Sequence, residues 1–103
     1  MTGELFQIEK LESGVRFSLP NYFDITVASE LRDRLVELLD SQVNTILLDG
    51  QLCEVADTAV MQVLCAFADE ARKKGIHLEW QSPGDAITKT ARYLGMEEYL
   101  GLQ

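Results

Sequence analysis

Apolar and polar positions alternate with a period of two in two short segments near the N-terminus. These segments run from Leu5 to Glu9 and from Val15 to Leu19, and the turn residues Glu12-Ser13-Gly14 separate them. Alternation of this kind predicts half-buried strands, and the polar turn predicts that they form a hairpin. We therefore expect Phe6 and Ile8 to pack on the same, core-facing side of a sheet.

The spacing of apolar positions becomes helical further along the chain. From Thr26 to about Asp40, leucines and a valine recur every three or four residues, which predicts an amphipathic helix with Thr26 as its N-cap. A second helix is predicted from Thr58 to Lys74, because it closes with basic residues and is followed by Gly75. Segments 82–95 and 97–100 are predicted to form the closing helices.

Two further segments predict strands on either side of the second helix. Ile46, Leu47 and Leu48 are consecutive apolar residues, which predicts a central strand from Thr45 to Leu48 that is covered on both faces. Residues 76–80 alternate again. A strand, a helix and a strand form a unit with parallel strands and a right-handed crossover. The fold class expected is α/β, a two-layer sandwich whose mixed four-stranded sheet carries helices on one side, in a single domain spanning residues 1–103.

Composition narrows the function. The chain has 17 acidic residues against nine basic ones, for a net charge of −8, which argues against nucleic acid or an anionic membrane as the partner. One histidine and two cysteines offer little for catalysis or metal binding, so we expect a binding module that is not an enzyme and has no cofactor or metal. The N-terminus lacks the apolar core of a signal peptide, and no segment is long enough to insert into a membrane. We therefore expect a cytoplasmic protein with reduced Cys53 and Cys65.

The residues with the most promising chemistry lie in the connection from Asp49 to Asp57. Its nine residues exceed the roughly 2–6 that are usual between a strand and a helix, and this end of a sheet is where α/β proteins bind ligands. Asp57 is predicted to cap the second helix, which places the Thr58 hydroxyl near solvent in a field that favours a phosphate. The alternative is that Asp57 only caps and Thr58 only begins the helix.

The N-terminal half of the second helix is apolar on nearly every side. Nine of the ten residues from 59 to 68 are apolar, and Met61, Leu64 and Phe67 have core spacing. The other positions are either covered by neighbouring helices or form an interface with a partner. The candidate partner-interface residues are Ala59, Gln62, Val63 and Ala66.

The spacing from Asp49 to Asp57-Thr58-Ala59 resembles the STAS domain of anti-sigma-factor antagonists, in which an acidic residue ends a central strand and an Asp-Ser/Thr pair opens a helix. Two other stretches resemble the same family. Residues 19–26, Leu-Pro-Asn-Tyr-Phe-Asp-Ile-Thr, are similar to its Gly-x-Leu-Asp segment. Residues 75–80 and Leu94-Gly95-Met96 are similar to its closing strand and its Leu-Gly-Leu. The resemblance spans roughly residues 5–102.

The resemblance implies a bacterial signalling protein that works as a phosphorylation-controlled partner switch. Thr58 is the implied phosphoacceptor, and its kinase is an anti-sigma serine kinase of the histidine-kinase-like ATPase fold. Asp24, Asp49 and Asp57 are the implied switch-site acids, and we expect Glu54 to join them around Thr58. The unmodified module binds the kinase, and the added phosphate releases it by charge repulsion and desolvation.

The sequence departs from the family pattern at Val60, and also at Gly50 and Gln51, which replace the usual Leu-Ser after Asp49, and a second interpretation stays open. Val60 stands where the family has glycine, and a β-branched side chain there is expected to narrow the approach of a partner to Thr58. Related STAS proteins with an Asp-Thr-Ala motif include a subunit of a lipid-transport ABC ATPase, and others look like companions of chemotaxis clusters. A docking subunit that works without phosphorylation is therefore the alternative.

Overall fold

The computed structural model describes residues 6–102 of the chain. The predicted elements follow one another in the expected order, with two additional short strands. The strands are β1 (Gln7–Lys10), β2 (Gly14–Ser18), β3 (Tyr22–Phe23), β4 (Thr45–Asp49), β5 (Val55–Ala56) and β6 (His77–Ser82). The helices are α1 (Ala28–Asp40), α2 (Thr58–Lys73), α3 (Gly84–Leu94) and α4 (Glu97–Leu100), and a 3-10 turn (Ile25–Val27) precedes α1.

Four strands form one mixed sheet in the order β1-β2-β4-β6. β1 runs antiparallel to β2, whereas β2, β4 and β6 are parallel to one another. Parallel neighbours need crossover connections, and α1 and α2 provide them between β2 and β4 and between β4 and β6. The predicted fold class, a two-layer α/β sandwich with a mixed four-stranded sheet, is confirmed.

The sheet buries one face and leaves the other open. On the covered face, Val15 and Phe17 of β2 and Ile46 and Leu48 of β4 are buried. Leu47 points to the opposite face and is only half-buried, so the prediction that β4 is covered on both faces is wrong. Because successive side chains of a strand alternate between faces and the helices lie on one side only, the middle residue of the apolar run must face outward.

Arg16 shields the half-buried Leu47 on the open face. The register of the sheet places Arg16 beside Leu47 and Leu47 beside Glu79. The Arg16 guanidinium donates to the side-chain oxygen of Gln81 at 2.8 Å and pairs with Glu9. Long basic side chains cover apolar surface with their methylene groups while the charge stays in water, so this arrangement limits the cost of exposing Leu47.

Aromatic rings close one end of the core. The Phe6 ring stacks on Phe17 with 5.2 Å between centroids and meets Phe23 edge-on at 6.3 Å. Phe6 is buried as expected, but Ile8 is 41% exposed, so only one of the two residues packs on the core. The reason is that β1 is an edge strand whose residues are all exposed. Leu5, the predicted start of this strand, lies outside the described residues.

Helices α1 and α2 fill the other layer of the core. Three leucines of α1 are buried at helical spacing, and one side of α2 is buried along its full length. Met61, Leu64 and Phe67 are among these buried side chains, as their spacing predicts, and each contributes roughly 1.5–3 kcal/mol of transfer free energy. The buried α2 residues are Val60, Met61, Leu64, Phe67, Ala68 and Ala71.

The start of α1 differs from the prediction. Thr26 is not the N-cap of the helix, because Asp24 caps the preceding 3-10 turn by accepting a hydrogen bond from the Thr26 backbone N–H at 3.0 Å. The helix itself begins at Ala28. Aspartate and threonine are both good capping residues, and the apolar spacing of α1 contains no sign of the extra turn before it.

The ends of α2 and α3 follow the predicted signals. Gly75 and Gly95 have positive φ values of 77° and 69°, the left-handed conformation that ends a helix with least strain at glycine. Within residues 6–102, every helix is too short or too polar to cross a membrane.

Candidate functional site

The candidate site lies where the connection after β4 enters α2. The sequence predicts an irregular connection here, but the structure contains the short strand β5, which pairs in parallel with β3. Backbone hydrogen bonds extend this pairing, from Glu54 N–H to the Asn21 carbonyl at 2.7 Å and from Asp57 N–H to the Phe23 carbonyl at 3.0 Å. These hydrogen bonds therefore hold the segment that leads into α2 against the segment that leads into α1.

Asp57 joins the start of α2 to the segment before α1. Its Oδ1 accepts a hydrogen bond from the Val60 backbone N–H at 3.1 Å, which confirms the predicted N-cap. Its Oδ2 accepts a second hydrogen bond, from the Ile25 backbone N–H at 2.9 Å. Both carboxylate oxygens are therefore engaged by backbone amides, an arrangement typical of a positioning group.

Asp24 and Asp49 stabilise turns of their own. Asp24 accepts hydrogen bonds from the backbone and the hydroxyl of Thr26, and it lies next to Ile25, whose amide binds Asp57. Asp49 Oδ1 accepts from the Gln51 backbone N–H at 3.0 Å in the loop after β4. The hydrogen bond from the Ile25 amide to Asp57 thus places Asp24, the neighbour of Ile25, near Asp57. Asp49 belongs to a separate turn.

Thr58 is the first residue of α2, and it is exposed in an open cleft between α2 and α3. The cleft has a volume of about 690 Å³, and we call it the Thr58 cleft. Within the described part of the chain, Asp57 is the one acid that lines it, whereas α3 contributes two basic side chains, Lys89 and Arg92. Its lining residues are Ala56, Asp57, Thr58, Lys89, Thr90, Arg92 and Tyr93.

Sequence reasoning missed the basic side of this cleft. Lys89, Arg92 and Tyr93 have the i, i+3, i+4 spacing of one helix face, which is a visible signal. The pattern does not show which other element this face approaches. The structure supplies that contact, because the Thr90 hydroxyl donates to the Ala56 carbonyl at 2.8 Å and ties α3 to β5.

Glycine residues bring the loop after β4 against the start of α3. A Cβ atom added to Gly50, which is buried, would lie 2.4 Å from the Pro83 carbonyl oxygen. Gly84 has a φ of +78°, and a Cβ there would lie 2.4 Å from the Gly50 carbonyl oxygen. Because the two backbones touch directly, α3 is held in a defined position beside the Thr58 cleft.

Val60 does not obstruct the approach to Thr58, contrary to the expectation. Its side chain is 0% exposed and belongs to the hydrophobic core. Because successive residues of an α-helix are rotated by about 100°, a residue two positions after Thr58 points away from it. The valine therefore strengthens the packing of α2 instead of covering the exposed threonine.

A second concave surface, the α1–α2 groove, lies between the two long helices. It has a volume of about 540 Å³, and all four candidate interface residues, Ala59, Gln62, Val63 and Ala66, line it. On the other side, α1 and the turn before it contribute apolar residues that are widely exposed, with Ile25 at 64% and Val36 at 50%. Arg32 of α1 and Glu70 of α2 add opposite charges to the lining.

The cysteines and the histidine line neither concave surface. Cys53 is buried and its thiol donates to the Val55 carbonyl, and burial raises the pKa of this thiol. Burial also raises the pKa of Cys65 on α2. His77 pairs with Glu79 at 3.1 Å on β6. Across residues 6–102, no three side chains of histidine, cysteine, aspartate or glutamate group together as metal ligands would.

Comparisons with known proteins agree with this architecture. No curated protein sequence matches the chain. Among solved structures, it is similar to an anti-sigma factor antagonist from Mycobacterium paratuberculosis, with a TM-score of 0.79 and 14% identity over 90% of this chain and 79% of that one. It is also similar to the anti-sigma factor antagonist SpoIIAA in its unphosphorylated form, with a TM-score of 0.76 and 16% identity over 91% and 84% of the two chains.

Identities this low establish a common fold and nothing finer. The family assignment comes from the sequence itself, because the family model described as "Mlab, STAS domain" matches residues 6–102. The match therefore includes the sheet, all four helices, the Thr58 cleft and the α1–α2 groove. The chain belongs to the STAS domain family.

Proposed function

We propose that this STAS domain is a bacterial, cytoplasmic protein-binding module without catalysis of its own. Phosphorylation of Thr58 controls its binding to a partner protein. The observation that carries the proposal is the position of Thr58. It is exposed at the first residue of α2, and the same helix continues into the lining of the α1–α2 groove. Modification and docking would thus act on adjacent parts of one element.

The covalent step belongs to a partner kinase. The Thr58 hydroxyl oxygen attacks the γ-phosphorus of ATP, and the new oxygen–phosphorus bond forms as the bond to the bridging oxygen of ADP breaks. ADP leaves, and the hydroxyl proton passes to a base of the kinase. In this proposal Asp57 positions the start of α2, because both of its oxygens accept hydrogen bonds from backbone amides. The similarity in fold to anti-sigma factor antagonists supports an anti-sigma serine kinase, or a related signalling ATPase, as the partner.

The α1–α2 groove is the docking surface of the proposal. Its floor contains Ala59, Val63 and Ala66, which are small or apolar and leave space for side chains of a partner. Gln62 lies one helical turn after Thr58, so a phosphate on Thr58 stands at the edge of this surface. A phosphate adds a charge of about −1.5 to −2 at neutral pH, and burying it against a partner carries a large desolvation cost.

A charge substitution with a neutral control tests this mechanism. Thr58→Glu places a carboxylate at the edge of the groove, and we expect it to weaken binding of the partner ATPase about tenfold, which corresponds to about 1.4 kcal/mol. Thr58→Gln has nearly the same shape without the charge and is expected to bind within about threefold of the wild type. Isothermal titration calorimetry measures both. Equal affinities for the two variants would contradict a switch based on charge.

Docking without phosphorylation is the second candidate function. One observation favours it, because the groove does not include Thr58 among its lining residues. A subunit of a transporter ATPase or of a chemotaxis cluster could use this groove alone. In that case Val63→Asp abolishes binding, whereas Thr58→Glu leaves it unchanged. Tyr99→Asp, at an exposed position of α4 outside the groove, is the matched control for an added acid.

A further inference from the structure

The Thr58 cleft combines the proposed modification site with two basic side chains. We propose that Lys89 and Arg92 of α3 receive the phosphate of phosphorylated Thr58, so that phosphorylation ties the start of α2 to α3. This inference rests on the proposed function for the modification itself. The sequence suggests that only acidic side chains surround the phosphate. We infer instead that the phosphate contacts basic side chains of the same protein.

The two basic residues are presented by a helix in a fixed position. Thr90 lies between them in sequence, and its hydroxyl donates to the Ala56 carbonyl at 2.8 Å, two residues before Thr58. The close packing of Gly50 on Pro83 holds the beginning of the same helix. Lys89 and Arg92 therefore already line the same cleft as Thr58, and no backbone movement is needed to bring α3 to the phosphate.

Both side chains have charge to offer a phosphate. Lys89 takes part in no ion pair among the described residues. Arg92 pairs with Glu97 through Nε at 3.4 Å, and its side chain is 69% exposed, so its two terminal nitrogens can bind another acceptor. Guanidinium and ammonium groups are the usual protein partners of phosphate oxygens, and such charge-assisted hydrogen bonds are about twice as strong as neutral ones.

Before modification, the side chains that line the cleft carry more positive than negative charge. Among residues 6–102, two cations and a single acid, Asp57, line the cleft, and both Asp57 oxygens already accept hydrogen bonds from backbone amides. A phosphate contributes about −1.5 to −2 at neutral pH, close to the combined charge of Lys89 and Arg92. The phosphate thus engages Lys89 and the part of the Arg92 guanidinium that does not pair with Glu97. Phosphorylation changes which groups the cleft offers, in addition to making the surface more negative.

The second ionisation of the phosphate reports this contact directly. Thr58 is installed as phosphothreonine by genetic code expansion, so that no kinase is needed, and the phosphate is titrated by ³¹P NMR. Nearby cations favour the dianion and lower its pKa from the ordinary value of about 6, which the same protein unfolded in urea provides.

The backbone amides at the start of α2 also lower the pKa of the phosphate. Neutral variants of Lys89 and Arg92 distinguish the effect of the cations from that of the amides. We expect Lys89→Gln and Arg92→Gln each to raise the phosphate pKa by on the order of 0.5 units relative to the phosphorylated wild type. Lys74→Gln removes the same charge at the far end of α2 and is expected to leave the pKa unchanged. Circular dichroism spectra of all variants confirm that they fold.

A phosphate pKa that is the same in wild type, Lys89→Gln and Arg92→Gln would overturn the inference. An equal rise in the Lys74→Gln control would do so as well, because it would attribute the effect to overall charge. Neither result concerns whether a cellular kinase modifies Thr58, which mass analysis of the kinase reaction tests separately. The failure of this contact and the failure of the proposed function are therefore distinguishable.

Discussion

Removing the Asp57 side chain tests how the segment before α1 is joined to the start of α2. The Asp57→Ala substitution deletes two hydrogen bonds, one from Val60 N–H at 3.1 Å and one from Ile25 N–H at 2.9 Å. Ile25 begins the 3-10 turn before α1, and Val60 lies in the first turn of α2, where backbone amides have no partner within the helix. The protein therefore loses a helix cap and a long-range connection in one step.

The expected magnitude follows from these two contacts. Loss of an N-cap costs about 1 kcal/mol. Loss of the bond to Ile25 costs about 1 kcal/mol more, the value of a typical hydrogen bond, because the partly exposed site reduces the extra strength of a charged acceptor. We therefore expect Asp57→Ala to lower the free energy of unfolding by about 2 kcal/mol. Asp57→Asn keeps one oxygen to cap the helix but cannot accept at both positions, so it should cost about half as much.

Urea denaturation provides the measurement. Trp80 is half-buried and donates from Nε1 to the Leu100 carbonyl at 2.8 Å, so its fluorescence follows the loss of tertiary structure. Glu54→Ala is the matched control, because Glu54 is exposed and its removal deletes the same charge without deleting a described side-chain hydrogen bond. It should change stability by less than about 0.5 kcal/mol. Equal m-values across the variants would show that the change lies in stability.

Two outcomes would refute this reasoning. If Asp57→Ala were as stable as Glu54→Ala, the two hydrogen bonds would contribute nothing. If Asp57→Asn were as unstable as Asp57→Ala, the cap and the connection to Ile25 would not be separable contributions, and the sum of two independent terms would be wrong.

Two more substitutions test the packing that positions α3 and α4. Gly50→Ala places a Cβ 2.4 Å from the Pro83 carbonyl oxygen and should cost about 3 kcal/mol, the upper end of the usual range for overpacking, because the neighbour is backbone. Gly75→Ala, whose Cβ meets nothing within 4 Å, should cost about 1 kcal/mol from its positive φ alone; equal costs in urea denaturation would contradict the close contact at Gly50. Trp80→Phe leaves the Leu100 carbonyl without its donor and should cost about 1–2 kcal/mol, followed by circular dichroism; an unchanged midpoint would show that this hydrogen bond adds no stability.

Periodicity was sufficient to predict the main sheet and the long helices. The strands around α2 and the helices α1 and α2 bury many side chains in register, and each such face leaves a repeated pattern in the sequence. The short strands β3 and β5 could not be predicted in this way, because two residues contain no period. Their pairing depends on the meeting of segments that are about thirty residues apart, which only the folded chain brings together.

The candidate site was predictable in part. The capping role of Asp57 and the exposure of Thr58 follow from local chemistry, since an aspartate before an apolar helix is a recognised start signal. The orientation of Val60 toward the core follows from helix geometry. The sequence did not show which side of α2 is buried, because the residues around Val60 are apolar on nearly every side of the helix. Lys89 and Arg92 belong to another helix, and their approach to Thr58 depends on tertiary contacts at Thr90 and Gly50.

The most direct test of phosphorylation control is intact-mass analysis of the chain after incubation with ATP and Mg²⁺. Each serine kinase of the histidine-kinase-like fold from the same organism is assayed with the wild type and with Thr58→Val, which lacks the hydroxyl but keeps the shape. We predict that one of these kinases adds a single phosphate to the wild type at Thr58, adds none to Thr58→Val, and then dissociates from the modified chain. No mass gain with any kinase, or a gain that persists in Thr58→Val, would contradict the proposed switch.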